Sequence, residues 1–524
     1  MPVRIKKGSF RKQCKGGLEP KMKIVFFVSE DKSLGVGYLS SYLKQHGHQV
    51  YLLFDSCQFA KSYVQNERLA RYFSKEKYFL KRIRDIRPDL IGFSVLTSNY
   101  QWALRLSRLI KQYFNIPVIF GGVHPTLVPD RVIKETAIDM VCVGEAEEAL
   151  LELSDNFGKN TNIKNVYFKD NGQVISNSLR PLEQDLDKYP FPDEELFYEI
   201  LPDSYRITSS VITSRGCPYY CTFCSNHSLA ALYKGQRYLR RRSADNVLAE
   251  LYQRKHKFKS RHFVFVDDIF ASDDTDWLER FIPRYKKEIN LPFNCLAHPD
   301  LVSERTISLL KDGGCTTIDF GLQSGSERLR RDVLYRFETN ESIRKIALAC
   351  KRHKLHFAVD QILNIPTETE EDILSSARLF NAIRPDIINC SSLLYFPKAL
   401  IIDKARKAGL LDTGALEQIE DGKVDDLYSS ASISPVHKNS LSFYRKYALL
   451  LNIIPLLPKR IMSLVINNVR SRNIISKIPL SILPLVRVFV DLKGGLGFIP
   501  FSVLRNEMFY LKQHLRYQRY MRGK

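Results

Sequence analysis

The chain has 524 residues, 44% of them hydrophobic, and ten cysteines. That length is enough for about three domains of roughly 150 residues with ordinary packed cores, and so few, mostly unclustered cysteines fit a reducing compartment and not a disulfide framework. The net charge of +22 sits at the ends: residues 1–23 carry +7 and residues 437–524 carry +14, which leaves the body nearly neutral. The basic first stretch has no apolar h-region, so neither a signal peptide nor an N-terminal anchor is expected.

From residue 23 to about 155, "KIVFFVS", "HQVYLLF", "DLIGFSVL", "PVIFGGV" and "IDMVCVG" read as five buried strands alternating with helix-length segments. This predicts a doubly wound, Rossmann-like α/β domain with ligands at the carboxyl ends of its strands. Residues 156–205 read as a linker, with two short strands around an Asp-Asn-Gly turn and then a proline-punctuated extended stretch. A second series follows over 206–410: "ITSSVITS", "HFVFVDD", "FNCLAHP", "TIDFGLQ", "HFAVDQIL" and "IINCSSLLYF", separated by helices. Six β/α units predict a partial (β/α)6 barrel with its chemistry at the strand C-termini.

Just after the first strand of that series, "TSRGCPYYCTFCSN" places Cys217, Cys221 and Cys224 within eight residues. Three thiols cannot all pair with one another, so a metal reading comes forward. Soft thiolates suit iron-sulfur centres. His227, three residues on, leaves a Cys3His zinc set open from spacing alone. Cys295, Cys315, Cys350 and Cys390 lie in or beside predicted elements and read as small buried hydrophobes. Asp267, next to Asp268, reads equally well as a loop carboxylate satisfied by backbone donors.

The spacing CxxxCxxC with Phe223 before the last cysteine resembles the radical S-adenosylmethionine (SAM) enzymes, and "RRRSADNVLAEL", "FVFVDDIFA", "IDFGLQSGSERL" and "ILNIPTETEED" extend the resemblance over about 206–409. The N-terminal "SLGVGYLSSYLKQHGHQV", "RPDLIGFSVLTSNY", "IPVIFGGVHPTLVPD" and "DMVCVGEAEEAL" resemble the cobalamin domain that precedes such barrels in the class B methyltransferase and anaerobic cyclase subgroup. The resemblance implies a 4Fe-4S cluster on Cys217, Cys221 and Cys224, with SAM on its open iron. It implies SAM contacts from Phe223, Asp268, Gln323 and Ser324, and cobalamin contacts from Leu34, Gly35, Ser94, Ser98, Gly121, Gly122, His124, Gly144 and Glu145. The DxHxxG motif is absent, and His124 is expected on the nucleotide-tail side. The implied activity is methylation of an unactivated carbon of a small or lipid-like substrate, with an external one-electron reductant. The alternatives are an oxidative cyclisation or rearrangement on the same cofactors, and a non-catalytic sensor.

Residues 411–524 are predicted to form a basic, apolar, mostly helical region. Runs such as "YALLLNIIPLLP" are too short and proline-broken to span a bilayer. Basic amphipathic helices on an anionic membrane face are expected, with a barrel cap or a nucleic-acid surface as competitors. The expected location is the cytoplasm, at the inner face of the membrane.

Overall fold

A computed structural model describes residues 21–60, 66–170, 172–198, 200–271, 275–423, 447–478, 482–493 and 499–521. Most of the basic N-terminus and the residues from 424 to 446 lie outside the described residues, as does the start of "LGFIPFSVL".

The first domain is built on β1 (Lys23–Ser29), β2 (Gln49–Asp55), β3 (Leu90–Ser94), β4 (Val118–Gly121) and β5 (Met140–Cys142). These strands are apolar on both faces because helices cover both sides, as a parallel sheet requires. The order is β2-β1-β3-β4-β5, parallel throughout. The chain therefore reverses direction of travel between β1 and β3, where a crevice opens at the strand ends. The hairpin β6 (Val166–Asp170) and β7 (Gln173–Ser176) continues this same sheet antiparallel to β5. Residues read as linker thus supply two strands of the first sheet.

The second sheet has the order β15-β14-β13-β12-β11-β8, all parallel. Its strands are β8 (Thr208–Val211), β11 (His262–Phe265), β12 (Phe293–Ala297), β13 (Cys315–Gln323), β14 (His356–Leu363) and β15 (Ile387–Ser392). Between the first two, β9 (Ser214–Arg215) pairs with β10 (Arg240–Arg241) as a two-stranded antiparallel ribbon. This is the expected α/β architecture, a doubly wound domain followed by an open barrel. One hydrophobic core lies between the strands and their outer helices, which include α1 (Ala244–His256), α2 (Thr275–Arg284) and α3 (Glu370–Ile383).

The C-terminal region packs in two places. Met462 and Ile466 of α4 (Lys459–Asn467) join the barrel core, and Asn381 of α3 donates to the Lys459 carbonyl and the Ser463 hydroxyl. After α5 (Val469–Ser476), α6 (Leu483–Lys493) sets Val490 against Ala358 and Ile387, near the N-terminal ends of their strands and opposite the cysteine loop. The last helix, α7 (Ile499–Met521), crosses to the first domain, where Tyr517 stacks on Tyr78 at 4.0 Å. No helix among the described residues is long and apolar enough to cross a membrane.

Candidate functional site

The cysteine loop is held at both ends. Before it, Asp267 is fully buried at the end of β11 and accepts three hydrogen bonds, from the Thr213 amide (2.9 Å), the Thr213 hydroxyl (2.8 Å) and the Ser214 hydroxyl (2.6 Å). Gly216 then turns at φ +91°, and a Cβ there would lie 2.6 Å from the Tyr238 carbonyl oxygen, so only glycine fits. Within the loop, Thr222 is buried, and its amide and hydroxyl donate to the carbonyls of Leu334 and Val333. That pins the segment carrying all three thiols to the stretch after β13.

Around the thiols the surroundings are mixed. Burial pushes all three up, Cys217 to about 12, while Cys221 is countered by the Arg336 guanidinium at 3.5 Å and Cys224 by the Asn226 amide at 3.4 Å. Ionised thiolates would thus come with a bound cation. A single tetrahedral zinc with bonds of about 2.3 Å would draw its sulfurs to about 3.8 Å from one another. Among the described residues, His298, Asp300 and Glu338 bring potential donor atoms within 4.8 Å of one another. His227 has both ring nitrogens engaged, Nδ1 with the Cys224 carbonyl (2.7 Å) and Nε2 with the Ser228 hydroxyl (2.9 Å). With His227 engaged elsewhere, the donor set is three soft thiols, the kind that suits an iron-sulfur cluster. The His298 set carries two guanidiniums at its core, because Glu338 is bound by Arg336 at 2.8 Å with Arg330 at 3.9 Å.

Of the residues expected around SAM, Phe223 packs into the apolar cluster of Leu329, Ile362 and Tyr395. Asp268 lies beside Asn226 of the loop, and burial pushes its carboxyl up. Gln323 ends β13 at φ +65° after a register shift, and its side chain folds back over Gly321. Ser324 is fully buried, with its hydroxyl accepting from the Ser326 amide. Gly325 presses on α3 so closely that a Cβ would sit 2.3 Å from the Ser376 Cα.

In the first domain a cavity of about 330 Å³ opens at the ends of β1, β3, β4 and β5. Leu34, Gly35, Ser94, Gly121, Gly122, Gly144 and Glu145 line it, and so do Ile212 and Arg215 from the entrance to the cysteine loop. A side chain at Gly121 would project from the strand end with only Cys142 beside it, so glycine leaves this mouth open to a flat ligand. The structure places Ser98 in the Thr97–Asn99 turn, outside that lining. His124 is also outside it. Its ring is fully buried, 3.2 Å from the Thr97 hydroxyl and packed on Tyr100, and burial lowers it to about 4, so it is neutral.

Two sets of groups went unseen in the sequence. Glu145 is gripped by Arg240 (2.6 and 3.0 Å) and Arg215 (3.4 Å), and Arg215 also holds Glu147 at 2.6 Å. This clamp joins the first domain to the ribbon that leads into the cysteine loop. The other set is inside the barrel, where Asn389 donates to both Asp319 (3.2 Å) and Asp360 (3.0 Å) and accepts from Arg487 of α6 (2.7 Å). The signal for it was the polar residue at mid-strand in each of β13, β14 and β15, but its partner Arg487 lies 98 residues further on.

Residues 28–154 match the B12 binding domain family and residues 211–380 match the Radical SAM superfamily. The chain is a B12-binding radical SAM enzyme. An uncharacterized methyltransferase of Pyrococcus horikoshii is 28% identical over 64% of this enzyme and 72% of its own length. The cytidylyl-2-hydroxyethylphosphonate methyltransferase of Streptomyces wedmorensis is 25% identical over 57% of this chain and 63% of its own, and the anaerobic magnesium-protoporphyrin IX monomethyl ester cyclase of Cereibacter sphaeroides 24% over 71% and 60%. The radical SAM enzyme described here therefore spans less than two thirds of the latter two. Among solved structures its fold resembles the radical SAM methyltransferase TsrM of Kitasatospora setae (TM-score 0.59, 18% identity, 73% of this chain and 76% of that one). It also resembles the cobalamin-dependent enzyme OxsB (TM-score 0.63, 15% identity, 95% and 80%).

Proposed function

We propose that this enzyme transfers a methyl group to an unactivated carbon of a small or lipid-like substrate and works at an anionic membrane face on the cytoplasmic side. The observation that carries the chemical part is the shared cavity: glycine-lined strand ends of the B12-binding domain and the entrance to the cysteine loop wall one space, fixed by the Arg215/Arg240–Glu145/Glu147 clamp.

In this reading Cys217, Cys221 and Cys224 hold a 4Fe-4S cluster, Phe223, Asp268, Gln323 and Ser324 adjoin SAM, and the cavity residues take part of cobalamin. When bound, these groups would supply one-electron radical chemistry, with an external reductant, and a methyl carrier. The chain's own work is positioning. Asp267 and Thr222 hold the loop in place, Arg336 offers positive charge beside Cys221, and the clamp ties the ribbon before the cysteine loop to the first domain. Ser98 and His124 stand apart from the cavity lining and would act only through their neighbours.

The test is anaerobic incubation of reconstituted enzyme, reductant and candidate substrates with methyl-labelled SAM. Label in the product is the expected result. Deoxyadenosine release without label would favour the cyclase-like chemistry named for the Cereibacter relative. No deoxyadenosine under reducing conditions would remove both.

A further inference from the structure

We propose that the outward faces of α4, α5 and α6, continued by the outer face of α7, form a surface that seats the enzyme on an anionic lipid bilayer. This deepens the membrane part of the reading above and is independent of its chemistry.

Each helix divides into two faces. On α4, Met462 and Ile466 point into the barrel core, while Ile461 and Leu464 point outward and Leu464 is 73% exposed. On α5, Val469 and Ile474 face solvent. On α6, Leu483 and Val490 are buried, and Leu485 and Phe489, one turn apart, are exposed together with Ile478 and Ile482 just before the helix. Leu485 and Phe489 therefore share one face of α6. On α7, Tyr510, Gln513 and His514 are buried against the first domain, whereas Met508, Leu511 and Leu515 look away from it. Among the described residues, seven aliphatic or phenylalanine side chains are at least 60% exposed, and six of them lie here: Leu464, Val469, Ile474, Leu485, Phe489 and Leu515. Side chains of this kind are not scattered over the surface but gathered on one segment.

Charge identifies the occupant. Lys459, Arg460, Arg470 and Lys477 are exposed among these apolar groups, Lys512, Arg516 and Arg519 flank the α7 stripe, and the sequence from 459 to 490 contains no Asp or Glu. A second copy of the chain would bring like charges face to face. A nucleic acid would neutralise the charge but leave the aliphatic stripe in water. An anionic bilayer accepts both at once, headgroups to the cations and acyl chains to the stripe. Because no described helix can span a membrane, the helices would lie in the interface plane.

The experiment is co-sedimentation of the full-length, cofactor-reconstituted enzyme with vesicles of phosphatidylcholine alone and of phosphatidylcholine containing phosphatidylglycerol. At least about tenfold stronger partition to the anionic vesicles is expected, weakening as salt rises. The pair Leu485→Asp and Phe489→Asp, at positions that are mostly solvent-exposed, should lower that partition about tenfold without shifting the thermal melt. A second pair, Arg470→Glu and Lys477→Glu, should remove the preference for anionic lipid. The proposal is overturned by equal binding to both vesicles, by binding to neither, by unaltered binding of the variants, or by self-association without lipid that the Asp pair abolishes. Reductant-dependent deoxyadenosine release, measured without vesicles, separates the two readings. Its persistence alongside failed vesicle binding removes only the surface, and vesicle binding without it leaves the surface supported.

Discussion

Asp319 and Asp360 enter the barrel interior from adjacent strands, share one Asn389 amide, and have Arg487 as the nearby cation. Burial and the neighbouring Asp360 push Asp319 up to about 8, with Arg487 pulling the other way. In the unfolded chain this carboxyl ionises near its ordinary value of 3.8, so between the two values the folded state holds the additional proton. Its contribution to stability is therefore complete below the unfolded value, shrinks as pH rises, and is gone once pH passes the folded value. Asp319→Asn carries no titrating proton and keeps an oxygen for Asn389. Between about pH 6 and about pH 9 the wild type should lose more stability than this variant, in which the Asp360 carboxyl alone still titrates. Urea denaturation at both pH values measures the difference. Parallel losses in the two proteins would show that Asp319 is not the titrating group.

At the scale of elements, the ribbon β9/β10 decides whether the cysteine loop and the crevice of the first domain share a wall. Arg240 is 2% exposed and its bidentate partner Glu145 comes from the loop after β5. Burial by itself would push the Glu145 carboxyl up, but Arg240 and Arg215 outweigh it and hold the group below its ordinary value. Glu145→Gln leaves the buried Arg240 guanidinium without its counter-charge, while Arg215 keeps Glu147, and losing one partner of such a pair costs about 3–5 kcal/mol. The expected outcome is a lower melting temperature and less iron bound per chain, read by thermal denaturation and metal analysis. An unchanged melt would mean that the ribbon is carried by packing alone. The pairing in this clamp was not legible in the sequence, because Arg240 and Glu145 are 95 residues apart and the resemblance offered Glu145 only as a cobalamin contact. The strands were legible, since "KIVFFVS" or "HFVFV" must be covered on both faces. The cysteine motif was legible because its spacing is local. The hairpin β6/β7 could be read from its turn, but its attachment to β5 depends on where the fifth strand lies in the sheet. His124 shows the same limit from the other side: its place in a glycine loop was clear, but the direction of its ring was set by Thr97 and Tyr100 packed around it.

For the whole molecule, the C-terminal basicity is tied to architecture as well as to a surface. The helix α7 returns from the barrel to strap the first domain. Beyond the Tyr517–Tyr78 stack, Tyr510 packs on Phe54 at 6.2 Å and His514 on Phe73 at 4.6 Å. Gln513 donates to the Ile200 carbonyl, and Lys81 to the Tyr520 carbonyl at 2.6 Å. Beneath them Lys75 is buried, its ammonium 5.2 Å from the Tyr517 ring and 5.8 Å from that of Tyr510, and burial lowers its affinity for a proton. Ending the chain at residue 498 strips this cover from β2 and from the helix Glu76–Ile86, whereas on the barrel side α7 meets α6 and the residues Asp203 and Ser204 before β8. Local opening is governed by the contacts a segment buries, so the effect should be regional. Amide hydrogen exchange is expected to speed up at least about tenfold across Gln49–Asp55 and Glu76–Ile86 and to stay the same across β13 and β14. Uniform acceleration throughout the chain would show instead that α7 stabilises both domains as one cooperative unit, and no acceleration anywhere would show that the strap adds nothing to the first domain.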